Sequence, residues 1–148
     1  MYPVYLFLMA LAISIVEIVF FHQPMRECLL LNFLLINTGL QGIVGFVGHF
    51  FNADIVAKGI GWPQGNPFQT EIAFANLGMG ALGLTCLFLK GDFWLATIIM
   101  RSIYSWGAAY THVVDLFKKN NKAKYNAGPV LYFGLFYPFL LIGLYWLK

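Results

Sequence analysis

The chain has 148 residues, room for one domain, and is 60% hydrophobic but only 10% charged. A soluble domain is nearer half apolar and a quarter charged, so this composition excludes an ordinary water-soluble globule and points to an integral membrane protein whose apolar surface is covered by lipid. The net charge of +3 is small and its basic residues form no patch, which excludes a nucleic-acid partner.

Five apolar stretches each approach the roughly 20 residues that cross the hydrocarbon of a bilayer. They cover residues 2–21, 28–51, 71–89, 93–116 and 127–147. Backbone polar groups in lipid must be satisfied within the segment, so each is expected to be helical, and the fold class is an all-α bundle of five transmembrane helices forming one domain over residues 1–148. The first run has no preceding Lys or Arg and no small-residue cleavage site after it, so it reads as a span rather than a signal peptide.

His22-Gln23-Pro24 stops the first span. Pro24 cannot continue a helix, because its ring removes a backbone donor. The second span carries Gly39, Gly42, Gly45 and Gly48 at three-residue steps, and the third carries Gly78, Gly80 and Gly83. Small side chains let membrane helices approach closely, so these two spans are expected to pack tightly; a ligand groove left by the absent side chains is the alternative. Between them, residues 52–70 form a connection long for a compact bundle. A short interfacial helix is expected from Asp54 to Ile60, stopped by Gly59 or Gly61. The Gly- and Pro-rich segment 61–67 then follows as a lid or an ordered connector, with Trp62 and Phe68 dipping back toward the bilayer.

Lys90-Gly91-Asp92 reads as a tight hairpin, with Gly91 closing one helix and Asp92 opening the next. In the fourth span Arg101, Ser105, Ala108, His112 and Asp115 follow a 4-3-4-3 spacing and share one helix face, which is expected to look inward. Asn126-Ala127-Gly128-Pro129 opens the last span, with Pro near the first turn, where its missing donor is tolerated. Trp94, Tyr145 and Trp146 at one surface, and Tyr2, Trp62 and Tyr125 at the other, suit interface anchors. Cys28 and Cys86 lie in apolar runs and read as buried thiols, without a metal-type spacing.

With five spans, one surface, side A, holds the chain start and residues 52–70 and 117–126. It carries Lys58, Lys118, Lys119, Lys122 and Lys124, against Arg26, Lys90 and Lys148 on side B. The excess places side A and the N-terminus in the cytoplasm and the C-terminus outside, in a multi-pass protein of the cell membrane.

A charge within a span costs about 2.5–3.5 kcal/mol on insertion scales, so each such residue needs a partner or a task. Glu17 and Arg101 sit at similar counted depths and are expected to form an intramembrane ion pair, either structural or part of a proton or substrate path. At side A the topology draws together His49, Asp54, Glu71, His112 and Asp115, with Trp62 and Gln69 in the loop and Asn76 one turn into the third span. These eight residues are the candidate ligand-binding set. Imidazole with carboxylate suits Zn, Fe or Mn, and His112-x-x-Asp115 has the i, i+3 spacing of bundle metal sites. His49, Glu71 and His112 are the candidate metal ligands. The structural alternative assigns Glu71 to the positive end of a helix and pairs Asp115 with Lys118 or Lys119.

Gly48-His49, Ile60-Gly61-Trp62-Pro63, Pro67-Phe68-Gln69, Glu71 and Ala75-Asn76 together resemble a family of small bacterial and archaeal membrane proteins of unknown function, with a Gly-Trp-Pro…Pro-Phe-Gln-x-Glu signature. More distantly, residues 40–90 are similar to the DoxX-like superfamily, some of whose members are membrane subunits of quinone-linked sulfur oxidation. The resemblance implies a membrane protein with a motif-bearing loop and assigns neither reaction nor cofactor. Three functions follow as expectations: a protein that binds or transports a small molecule or ion through a His/carboxylate pocket, an accessory subunit of a larger membrane complex or homo-oligomer, and a redox or metal-dependent enzyme subunit.

Overall fold

The computed structural model describes residues 2–147, all helix and turn, with no strand among the described residues. The described residues form six helices: α1 (Tyr2–Phe21), α2 (Met25–Phe51), α3 (Ala53–Ile60), α4 (Phe68–Thr85), α5 (Asp92–Lys119) and α6 (Pro129–Trp146). Three of them, α1, α2 and α6, are long and apolar enough to cross a membrane. The expected breaks hold at His22–Pro24 and before Pro129, but Gly91 (φ +64°) does not close α4: it caps the start of α5, with Asp92 the first residue of that helix. The starts shift: α2 and α4 each begin three residues earlier than their apolar runs, and α4 ends at Thr85 rather than 89.

Each terminus has a local cause. The chain leaves α1 through His22, which takes a positive φ of 52°, and Gln23 N–H bonds back to the Glu17 carbonyl at 3.2 Å. A left-handed residue just past a helix satisfies carbonyls that have no partner within it. α3 ends at Gly61 (φ +82°) and α5 at Asn120 (φ +52°) in the same way. Pro129 occupies the first turn of α6, while Pro138 lies within the helix and is buried.

The glycines of α2 and α4 are the seam between those two helices. A Cβ on Gly42 would stand 2.5 Å from the Gly80 nitrogen, and one on Gly83 would collide with the Gly39 backbone. The backbones therefore touch where side chains would otherwise separate them. The expected periodicity overreaches at two positions: Gly78 faces open space, and Gly48 meets only Val56. Midway along α2, Phe33–Leu40 is π-helical. Such stretches are rare and recur at functional sites.

The apolar core unites Ala10 of α1, Leu30, Phe33 and Leu34 of α2, Ile98 of α5 and Tyr137 and Leu141 of α6. Cys86 joins it, and Cys28 is likewise buried and free. Trp94, expected as an interface anchor, is instead 5% exposed, its indole N–H donating to the Cys86 carbonyl at 2.9 Å. Elsewhere the surface is apolar: Phe20, Phe88, Tyr110, Phe117 and Phe136 are all exposed.

Candidate functional site

The loop end of the bundle is held by two hydrogen-bonded groups. The smaller joins the last turn of α2 to the first turn of α4. His49 Nδ1 lies 2.6 Å from Gln69 Oε1, so this nitrogen carries the proton when the amide oxygen faces it. α2 and α4 meet along the glycine seam, and that contact sets the imidazole beside the amide.

The larger group centres on Asp115, which is buried near the end of α5. Trp62 Nε1 donates to its Oδ2 at 2.9 Å, Asn121 Nδ2 donates to the same oxygen at 2.6 Å, and Lys119 Nζ pairs with Oδ1 at 2.6 Å. The Trp62 ring stacks on the His112 imidazole, with centroids 5.4 Å apart and planes 13° from parallel. His112 Nδ1 bonds Asn126 Oδ1 at 2.8 Å, and Asn126, fully buried, donates to the Asn121 carbonyl at 2.8 Å. Asn121 also donates to the Ile60 carbonyl, and Tyr125 N–H to the Gly59 carbonyl at 3.1 Å. A side chain on Gly59 would strike the Tyr125 ring, so only glycine lets these segments lie together. The loop after α3 is therefore lashed to the end of α5 and to residues 121–126.

This arrangement corrects part of the sequence reading. Asp115 does pair with Lys119, but its remaining acceptor capacity is spent on Trp62 and Asn121. Glu71 is exposed in the first turn of α4, and Asp54 accepts from Gly65 N–H at 2.9 Å, shaping its own loop. Among the described residues no three His, Cys, Asp or Glu side chains cluster closely enough to hold an ion, so His49, Glu71 and His112 are not brought together. His49 sits with Gln69 at the end of α2, His112 with Asn126 near the end of α5, and Glu71 is exposed on α4. Asn121 and Asn126 were missed; the only signal was their position in the polar run closing α5 and opening α6.

Glu17 and Arg101 do not pair either. Glu17 Oε2 accepts from Asn32 Nδ2 at 2.7 Å, and Asn32 also donates to Ser14. Arg101 lies beside Gln41, one turn from Asn37, and Asn37 Nδ2 bonds the Pro3 carbonyl at the opposite end of α1. Fourteen residues of helix, about 21 Å, separate that end from Glu17. Counting residues inward from each apolar run had placed the two at one depth.

Arg101 is 5% exposed, and no carboxylate reaches it among the described residues. With the Gln41 amide oxygen turned toward it, Nη2 donates to that oxygen at 3.0 Å, while Gln41 nitrogen donates to the Asn37 carbonyl. The guanidinium lies 5.6 Å from the centroid of the Tyr137 ring. The phenols of Tyr2, Tyr104 and Tyr137 lie near it. Asn76, expected at the surface group, belongs here instead: its Nδ2 bonds the Tyr104 hydroxyl at 2.8 Å, and Gly45 packs on its side chain. Among the described residues four buried polar atoms make no formed hydrogen bond: Arg101 Nε, Asn37 Oδ1, Thr38 Oγ1 and Ser102 Oγ. Thr38 approaches the Tyr137 hydroxyl, whose proton goes to the Phe33 carbonyl at 2.9 Å. Ser102 turns the other way, into a 260 Å³ apolar cleft between α5 and α6 lined by Ile98, Trp106 and Tyr145.

Residues 1–148 match a family described as a family of unknown function, DUF6790. Comparison with curated proteins and with solved structures gives no match.

Proposed function

We propose that this chain, which belongs to the DUF6790 family of unknown function, is a five-span membrane protein that binds or transports a small molecule in the polar interior between α2 and α5. The observation that carries this reading is the group of unpartnered polar atoms around Arg101. A buried polar atom without a hydrogen bond costs about 1–3 kcal/mol, and more when charged. Three such atoms, on Arg101, Asn37 and Thr38, arise where α2 is π-helical or where α5 faces it. That cost is sensible where a ligand supplies the missing partners.

In this reading α4 and α5 are the remaining spans. α4 has 18 residues, about 27 Å of helix, and α5 has 28, about 42 Å. Their lower hydropathy follows from the polar residues they turn toward the interior. The lysine excess sets the loop end in the cytoplasm, so the lashed segment 61–67 closes the bundle there.

The test is native mass spectrometry of protein gently extracted from its own membranes. A stoichiometric small molecule released on unfolding is the expected result. Protein that arrives bare and bound to other subunits overturns the reading and makes the chain an accessory component.

A further inference from the structure

We propose that Arg101 is the recognition group for an oxyanion, a carboxylate or phosphate, presented between α2 and α5 with Thr38 beside it. The inference deepens the interior-binding reading above and rests on it.

A guanidinium does not lose its proton inside a protein, so its charge persists wherever it is buried. In a span such a charge normally finds a carboxylate or a water-filled path. The two acids nearest in topology are committed elsewhere. Glu17 is held by Asn32 in the other half of α1, and Asp115 is saturated by Lys119, Asn121 and Trp62. What faces Arg101 is neutral: one amide oxygen, of Gln41, and the π-face of Tyr137. Nε has no acceptor at all. The fork of a guanidinium matches the two oxygens of a carboxylate or phosphate, an arrangement a lysine cannot reproduce. Thr38 Oγ1 shares Tyr137 with the guanidinium as a neighbour and makes no formed hydrogen bond, so it adds a hydroxyl donor from the π-helical turn.

Phenols surround the site. Tyr2, Tyr104 and Tyr137 lie near the guanidinium. A phenol offers a donor to an anion without adding a charge.

The experiment measures thermal unfolding of the full chain in dodecyl maltoside, at ionic strength fixed with sodium chloride. The probes are sodium phosphate, sodium butyrate and sodium oleate, with nanodiscs of phosphatidylcholine alone or mixed with phosphatidylglycerol as the lipid arm. A saturable rise in the midpoint with at least one probe is expected, abolished in Arg101→Gln and reduced in Arg101→Lys, which keeps the charge but not the fork. A rise with phosphate or butyrate identifies a soluble oxyanion; a rise with oleate or phosphatidylglycerol alone identifies the head of an amphiphile. An equal rise in Arg101→Gln, or none in the native protein with any probe, overturns the proposal. If Arg101→Gln does not fold, Thr38→Val carries the test: its apparent affinity is expected to fall several-fold, and an unchanged affinity overturns the assignment. A neutral molecule that copurifies equally with native and Arg101→Gln protein leaves the interior-binding reading standing and overturns this one.

Discussion

Trp62 and Asp115 lie 53 residues apart in the chain and are joined by a 2.9 Å hydrogen bond, with the indole ring stacked on His112 one turn away. The bond ties the loop between α3 and α4 to the end of α5. Trp62→Phe keeps the stack and removes the donor, and is expected to cost about 1–3 kcal/mol. Asp115→Ala strips the acceptor from the Trp62 and Asn121 donors together, while the exposed Lys119 stays solvated, and is expected to cost more than Trp62→Phe. Limited digestion with proteinase K checks this: cleavage within 61–67 is expected in both variants and not in the native protein. Equal cleavage of all three would show that the loop is held by something else.

The contact between α2 and α4 depends on two glycine pairs. Gly83→Ala puts a methyl into the Gly39 backbone and Gly42→Ala puts one into Gly80, whereas Gly78→Ala and Gly107→Ala meet nothing. Overpacking of this kind costs about 1–3 kcal/mol, more where backbone rather than a flexible side chain must move. Lower unfolding midpoints and broadened size-exclusion profiles are expected for the first pair. The second pair should match the native protein or gain slightly, since alanine favours helix over glycine.

Glu17 and Arg101 belong to separate polar groups, so their effects on stability should add. A double-mutant cycle with Glu17→Gln and Arg101→Gln, measured by unfolding in detergent, is expected to give a coupling below about 0.5 kcal/mol. Asn32→Ala combined with Glu17→Gln should instead couple by more than that, because Asn32 donates to the carboxylate directly. A strong Glu17–Arg101 coupling would restore the ion pair that the sequence suggested.

The proposed five-span arrangement puts Lys122 and Lys90 on opposite membrane faces. Cys28 and Cys86 are buried and should stay silent toward a membrane-impermeant maleimide. Lys90→Cys is expected to label from outside intact cells, and Lys122→Cys only after the membrane is opened. Labelling of both from outside would refute the five-span topology.

Helix limits were legible because prolines, glycines and charges punctuate the apolar runs, and the short helix before Gly61 emerged almost as read. The pairing of α2 with α4 was legible from glycine spacing, though Gly78 shows that spacing cannot say which glycine meets a neighbour. Partners across helices were not legible. Asp115 could be matched with Lys119, a neighbour on its own helix, but nothing local announced Trp62 or Asn121. His49 and His112 looked like ligands because imidazoles in apolar sequence are conspicuous, whereas the amides that engage them, Gln69 and Asn126, are not. The π-helical stretch left no signature in composition, and it is this stretch that carries Asn37 and Thr38.

The lashing of the loop also fixes an order of assembly. Every described side-chain partner of Trp62 lies between residues 112 and 115, and its neighbours on the lash extend to residue 126. At ordinary rates of synthesis those residues emerge roughly 3–10 s after the loop itself. During that interval the newborn N-terminal half carries an unfastened Gly-Trp-Pro segment. A chain truncated before α5 lacks every described side-chain partner that fastens it.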